Sequence, residues 1–225
     1  MINEIPLRAR KRAKTKLALM NTVIEALKTQ RLDEVSIKKV CNHVQVSEAT
    51  FFNYFPKKHD VLVYFIQIWT IEVAWYAHAA SKKSVLQGIQ AVFDVTGKQC
   101  ETNPNLMAEI IAYQARMHTQ LSLVDVSLAE RLLAFPDLEG VDALPAEGLN
   151  SIFPKLIQQA IDASELPQST HVEAAMLGLT AIFFGVPLVM LRTSPDAVQE
   201  LYHQQLVIFW KGLDALGKCR DVDTI

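Results

Sequence analysis

The sequence predicts an all-α protein, and three observations carry that expectation. Apolar residues recur at spacings of three and four along most of the chain, which is the period of a helix with one buried face. No stretch keeps the polar–apolar alternation of a half-exposed strand, and no internal repeat is present. Only 8 glycines and 9 prolines in 225 residues leave room for long uninterrupted helices. With 50% hydrophobic and 20% charged residues, the chain has the material for a substantial core in one or two domains, which excludes disorder as the main state.

Ala13, Leu17, Met20, Ile24 and Leu27 place one apolar stripe on a first helix. Ile37, Val40, Cys41 and Val44 repeat the pattern in a short second helix over Ser36–His43. A third is predicted from Ser47, a good N-cap, to Phe55, with Pro56 ending it. A fourth starts near Lys57 and carries Val61, Leu62, Phe65, Ile68 and Trp69 as a broad apolar face. Helices follow at Ser84–Glu101, at Pro104–Met117 with Asn103 as cap, and at Ser122–Ala134. Pro136, Gly140, Pro145, Gly148 and Pro154 then predict a loop. Three helices close the chain at Lys155–Ser164, Ser169–Arg192 and Pro195–Leu216.

Charge is divided unevenly. Residues 1–60 hold 12 Lys and Arg against 6 Asp and Glu, while the remainder holds 10 against 18, a split that the net charge of −2 conceals. A basic module that meets a polyanion explains this, and so does a solvated charged arm. Arg8, Arg10, Lys11, Arg12, Lys14 and Lys16 form that basic start, expected to be flexible. Cys41, Cys100 and Cys219 are odd in number, widely spaced and without a CxxC, which argues against a disulfide framework or a zinc site and for a reducing cytoplasm. Met1–Pro6 runs into charged residues without the apolar segment of a secretory signal. Ala174–Leu191 contains no charge and sits at the lower limit of a membrane span. Gly178, Gly185 and Pro187 interrupt it and flanking signals are missing, so a helix buried in a core or subunit interface is the expectation.

The informative stretch is Ser36–Phe65, SIKKVCNHVQVSEATFFNYFPKKHDVLVYF. It reads as a helix-turn-helix: a short helix, a turn at Val44-Gln45-Val46, and a second helix capped by Ser47. On the second helix Phe51 and Phe55 are i, i+4 neighbours that share a core face. Glu48, Ala49, Phe52 and Asn53 fall on the other side. That division, an aromatic anchor behind and short polar side chains in front, suits a helix that enters the major groove.

The same stretch resembles the DNA-binding domain of the TetR family, the tetracycline-repressor-like bacterial regulators. Ser36-Ile37, the run Val46-Ser47-Glu48-Ala49-Thr50-Phe51-Phe52-Asn53-Tyr54-Phe55 and Lys57-Lys58 follow the family pattern in order. Two positions depart from it. Gln45 stands where glycine is common, so the backbone there must avoid positive φ or accept strain. Phe52 stands where a tyrosine is expected, which removes a hydroxyl.

The resemblance implies a helix-turn-helix DNA-binding domain over residues 1–56 and a larger helical effector-binding and dimerisation domain over 57–225. It implies Ser36, Thr50, Tyr54 and Lys58 as phosphate contacts, with Ser47 and Lys57 beside them, and Glu48, Ala49 and Asn53 as base readers. The chemistry is suitable: hydroxyls and ammonium groups meet phosphate oxygens, and asparagine can bond adenine bidentately. It further implies a homodimer through the last two helices, for which Ala174–Leu191 and Leu201, Leu206, Ile208, Phe209, Leu213 and Leu216 are suited, bound to a palindromic double-stranded operator. A small-molecule effector completes the expectation. Trp69, Trp75, Tyr76, Phe93, Met107, Tyr113, Met117, Phe183 and Phe184 are candidates to line its cavity, although large apolar residues at helical spacing are more often ordinary core. With only Glu109 and Arg116 charged on the inner faces, the expected effector is apolar or aromatic.

No GxGxxG, Walker loop, HExxH or Gly-x-Ser-x-Gly is present, and the six histidines are scattered singletons. No catalytic residue, metal site or cofactor is therefore expected. The leading expectation is a ligand-responsive repressor. A dimeric regulator without a small ligand, and a helical enzyme or membrane-surface protein, are the alternatives.

Overall fold

The computed structural model describes the backbone of residues 2–116, 125–144 and 148–220, and the side chains of these except 3, 149 and 214–220. Ten α-helices lie among the described residues: α1 Leu7–Ala26, α2 Ile37–Val44, α3 Glu48–Tyr54, α4 Asp60–Ser81, α5 Val85–Thr102, α6 Pro104–Arg116, α7 Leu128–Ala134, α8 Leu149–Asp162, α9 Val172–Met190 and α10 Val198–Arg220. No strand occurs among them. Packing divides the chain into two units, Met1–Glu72 with Ala108–Ala146, and Val73–Met107 with Glu147–Ile225. The boundary expected after residue 56 falls inside the first unit.

In the first unit α1 packs on α2 and α7, and α2 packs on α3. The expected stripe is buried at Ala13, Leu17, Met20 and Leu27, with Val23 and Leu19 filling the places between. Phe51 and Phe55, both fully buried, pack in series with Tyr64 of α4 as tilted rings, their centroids 5.5 and 5.6 Å apart. The expected flexible basic arm is instead the first half of α1, because Arg, Lys, Ala and Leu are all strong helix formers.

Several expected boundaries move, for local reasons. α4 begins at Asp60 rather than near Lys57, because the Asp60 carboxylate accepts the Lys57 N–H at 2.7 Å and closes a turn ahead of the helix. α7 begins at Leu128 rather than Ser122. A capping box starts it there: the Ser127 Oγ accepts from the Glu130 N–H, and the Glu130 carboxylate accepts the Ser127 N–H. The end expected at Met117, the start expected at Ser122 and part of the expected loop fall on residues 117–124 and 145–147, which lie outside the described residues. Pro154 sits inside α8, which starts at Leu149 after the extended Gly148, so the loop expected to reach it ends earlier.

The second unit packs α5 on α8 and α10, and α9 on α8 and α10. Phe93, Phe153, Phe183 and Tyr202 close its centre with ring centroids 5.0 to 6.4 Å apart, and the Tyr202 hydroxyl donates to the Phe183 carbonyl at 2.6 Å. Ser164 turns α8 away at a φ of 59°, and the next residue, Glu165, caps α5. Its carboxylate accepts the Ser84 hydroxyl at 2.7 Å and the Val85 and Leu86 N–H groups at 2.9 and 3.0 Å. α9 begins at Val172 rather than Ser169, where His171 Nδ1 caps it by accepting from the Ala174 N–H at 3.3 Å. A 3-10 turn at Pro195–Ala197 precedes α10.

Gly178 lets α9 approach Phe209 of α10 so closely that an added Cβ would stand 2.4 Å from the ring. Among the described residues α9 alone is long and apolar enough to cross a membrane, and only 22% of its apolar window is buried within the chain. Leu177, Leu188 and Val189 on α9, and Val207 and Ile208 on α10, are exposed. The helix expected to be buried is thus uncovered along one face of the chain taken alone.

Candidate nucleic-acid interface

Local chemistry builds the helix-turn-helix from both ends. The Ser36 hydroxyl accepts the Lys39 N–H at 3.4 Å and starts α2. Gln45 ends α2 with φ 60° and ψ 45°, and the Val46 N–H returns to the Cys41 carbonyl at 3.0 Å. Of the two courses open at this position, the backbone takes the left-handed one, and the glutamine bears the strain that glycine would not. The Ser47 hydroxyl accepts the Thr50 N–H at 3.1 Å and lies 2.9 Å from the Thr50 hydroxyl, so the two hydroxyls are hydrogen-bonded at the entry to α3.

These caps fix how α3 is turned. Phe51 faces the core, while Glu48, Ala49, Phe52 and Asn53 are exposed together on the opposite side. Thr50 and Tyr54 are half-buried at the edges of that face, and Ser36, Ser47 and Lys57 are exposed beside it. Tyr54 is held from behind, with the Arg12 guanidinium 5.5 Å from its ring centroid. Lys58, expected as a phosphate contact, has its ammonium donating to the Asp33 carbonyl at 2.8 Å. The nine sequence-predicted residues therefore lie along α2, α3 and the turn after it, within one unit.

Three further residues belong to this surface. Lys39 and His43 are exposed on α2 at i+3 and i+7 from Ser36, and with Thr22, Gln30 and Glu34 they line a polar cleft of about 190 Å³. Their helical spacing from Ser36 was a usable signal. Phe52 is 44% exposed on α3, where an aromatic edge can meet a thymine methyl. Cys41 lies buried behind this face. Burial, and next the Glu48 carboxylate, raise its thiol above the ordinary value, so it is a packing group with little thiolate character.

The residues expected to line an effector cavity are divided between the two units. Trp69 is buried on α4 and Tyr113 sits on α6 with its ring 5.5 Å from His59, both in the first unit. Trp75, Tyr76, Phe93, Met107, Phe183 and Phe184 belong to the second unit, and Met117 lies outside the described residues. Phe93 stacks on Phe153 and Phe183 on Tyr202, while Phe93 and Phe183 meet edge to face. Tyr76 is 40% exposed and meets Trp75 edge-on. Among the described residues no three His, Cys, Asp or Glu side chains gather as a metal site.

No family model matches the sequence, and no curated protein matches it. Solved structures do. The chain is similar to Thermus thermophilus FadR, a TetR-family transcriptional repressor solved in complex with lauroyl-CoA, with a TM-score of 0.62 at 15% identity over 88% of this chain and 94% of that one. It is also similar to a TetR-family transcription regulator from Shewanella sp. PV-4, with a TM-score of 0.53 at 17% identity over 88% of this chain and 97% of the other. At such identities the likeness is one of fold. The chain has a TetR-like, all-α fold with a helix-turn-helix near its N-terminus.

Proposed function

We propose that this chain is a dimeric DNA-binding transcriptional regulator of the TetR type. The observation that carries the reading is the division of α3, with Phe51 buried behind and Glu48, Ala49, Phe52 and Asn53 exposed in front. Asn53, Glu48 and Ala49 read base edges in the major groove. Ser36, Ser47, Thr50, Tyr54 and Lys57 meet phosphates, and Lys58 holds the turn against Asp33 while adding its charge. The protein acts by binding, without catalysis, in the cytoplasm where its DNA lies.

A second copy covers the exposed apolar residues of α9 and α10, forming a four-helix interface. Successive major grooves require two copies of α3 about 34–36 Å apart, and pairing supplies the second copy. It also accounts for α9 as an interface helix instead of a membrane span.

The regulator is most simply a repressor released by a small apolar molecule that binds the helical domain better in the DNA-incompetent spacing. The lauroyl chain of the acyl-CoA bound to the Thermus protein supports an effector with an apolar part. One observation favours a second reading, a regulator with no small effector: the interlocked Phe93, Phe153, Phe183 and Tyr202 form a filled centre.

Fluorescence anisotropy on tiled fragments of the DNA flanking its own gene tests the reading, at two salt concentrations and with a random duplex as control. One fragment bound orders of magnitude above the random duplex is the expected result. Asn53→Ala should then cost about 1–3 kcal/mol at one operator position, and Lys57→Ala should weaken all sequences alike and flatten the salt dependence. Equal, weak and salt-sensitive binding to every fragment would overturn it.

A further inference from the structure

The first unit contains a buried charged cluster that the DNA-facing surface does not use. The Glu130 side chain is 7% exposed and that of Lys16 12%, and their charged atoms lie 2.8 Å apart. The Lys16 ammonium also stands 3.8 Å from the centre of the Tyr64 ring, and the Tyr64 hydroxyl donates to the same Glu130 oxygen at 2.7 Å. The other Glu130 oxygen accepts the Ser127 N–H at 2.7 Å and the Ser127 hydroxyl at 2.5 Å. One carboxylate thus joins α1, α4 and the start of α7. Arg131, the next residue, donates to the Val126 carbonyl at 3.1 Å and to the Leu144 carbonyl, tying α7 to its own flanking chain.

Along α1 the cluster reaches the recognition helix in a single step. Arg12 and Lys16 are i, i+4 neighbours on one face of α1. Arg12 lies against Tyr54 of α3, while Lys16 lies against Tyr64 of α4 and Glu130 of α7.

We propose that Glu130 is a positioning residue for DNA recognition: its carboxylate caps α7 and anchors α1 at once, so that α7 sets the angle at which α1 and, through Arg12, α3 meet the duplex. The inference rests on the DNA-binding reading above. Lys16, counted in the sequence as part of the basic start, is on this account a strut and no phosphate contact. Because one carboxylate serves both ends, loss of the first turn of α7 and release of α1 are a single event. The released state would leave a buried ammonium without its counter-charge, which disfavours intermediate positions. Buried ion pairs add little to stability over an apolar replacement, and fixing one arrangement is the role this one fits.

The test uses full-length protein with Glu130→Gln, Lys16→Met and the double variant. It compares operator affinity across a salt series, random-duplex affinity, and hydrogen exchange in α1 and α3. Each single variant is expected to lose about tenfold in operator affinity, within the usual range for coupling through a packed contact. Salt slope and random-duplex binding should stay as in the native protein, α1 and α3 should exchange faster, and the double variant should be no worse than the worse single one. Operator affinity within twofold of native in folded variants would overturn the proposal. So would a salt slope that falls by about one in Lys16→Met alone, since Lys16 would then be a phosphate contact. Should Glu130→Gln not fold, Ser127→Ala removes one hydroxyl from the same carboxylate; a partial loss of operator affinity supports the proposal and none overturns it. If the native protein prefers no DNA fragment, the DNA-binding reading fails by itself. Glu130 is then judged on exchange in α1 and α3, where no change in Glu130→Gln sinks it.

Discussion

In the unit that carries α1 to α3, polar groups are fastened down: Lys58 to Asp33, Arg12 to Tyr54, Lys16 to Glu130. In the unit that carries α9 and α10, apolar groups are left uncovered, with Leu188 at 67% exposure and Ile208 at 62%. Directional bonds specify an orientation, which a groove-reading helix needs. Uncovered apolar area specifies association without fixing an angle by itself. In the proposed function the two units therefore contribute different things: geometry from the first, a surface for a partner copy from the second.

The largest effect expected from this contrast is on assembly. Ile208→Asp puts a carboxylate into the proposed interface, where an unpaired buried charge costs about 3–5 kcal/mol per copy. Sedimentation should then find a folded monomer at concentrations where the native chain is a dimer, and operator affinity should collapse with it. A dimer of unchanged strength would move the interface elsewhere. Phe183→Ala acts inside the second unit, where the ring touches Phe93, Phe153 and Tyr202. A loss of about 3–5 kcal/mol in denaturant unfolding is expected for a closed core, and a loss below about 1 kcal/mol would indicate space around the ring instead.

Each unit also holds a carboxylate at a helix start, and these sharpen the comparison. At Glu130 burial raises the pKa, but hydrogen bonds from Lys16, Ser127 and Tyr64, with the Lys16 charge, bring it below the ordinary value of 4.5. At Glu165 burial also raises it, and the Leu86 N–H, the Ser84 hydroxyl and the Val85 N–H outweigh that, again to below 4.5. A carboxylate depressed in the folded state contributes stability that is present above its unfolded value and lost as pH falls through its folded value. Stability should accordingly decline on acidification below about pH 4.5. Glu165→Gln, which keeps the shape and loses the charge at the α5 N-terminus, should cost about 1–2 kcal/mol at pH 7 and flatten that decline. An unchanged acid profile in this variant would show that the cap is carried by Ser84 alone.

What the sequence revealed follows the same contrast between local and distant causes. Ser36, Ser47 and Pro56 act on their immediate neighbours, so the starts of α2 and α3 and the end of α3 were legible, as was the burial of Phe51 and Phe55. Pro154 misled because a proline marks a break only by rule, and here α8 begins five residues earlier at Leu149 and runs through it. The Glu130 cluster was beyond reach, since Tyr64 and Glu130 are 66 residues apart and nothing local to either announces the other. Lys16 looked like any other member of a basic run until α7 was placed beside it.

At Gln45 the sequence posed a choice that the backbone answers, and it offers the smallest and most local test. Its φ of 60° puts a side chain in the left-handed region, at a cost of roughly 1–2 kcal/mol relative to the right-handed helix. Glycine removes that strain but gains freedom in the unfolded chain, so the net gain of Gln45→Gly is smaller, about 0.5–1 kcal/mol in denaturant unfolding. Operator affinity should not change, because the turn keeps its conformation and Ser47 still caps α3. If instead the variant is no more stable, the left-handed turn is already relieved by its Val46-to-Cys41 hydrogen bond. If it is more stable but binds operator less well, then the glutamine side chain itself touches DNA, and the recognition surface extends from α3 back into the turn.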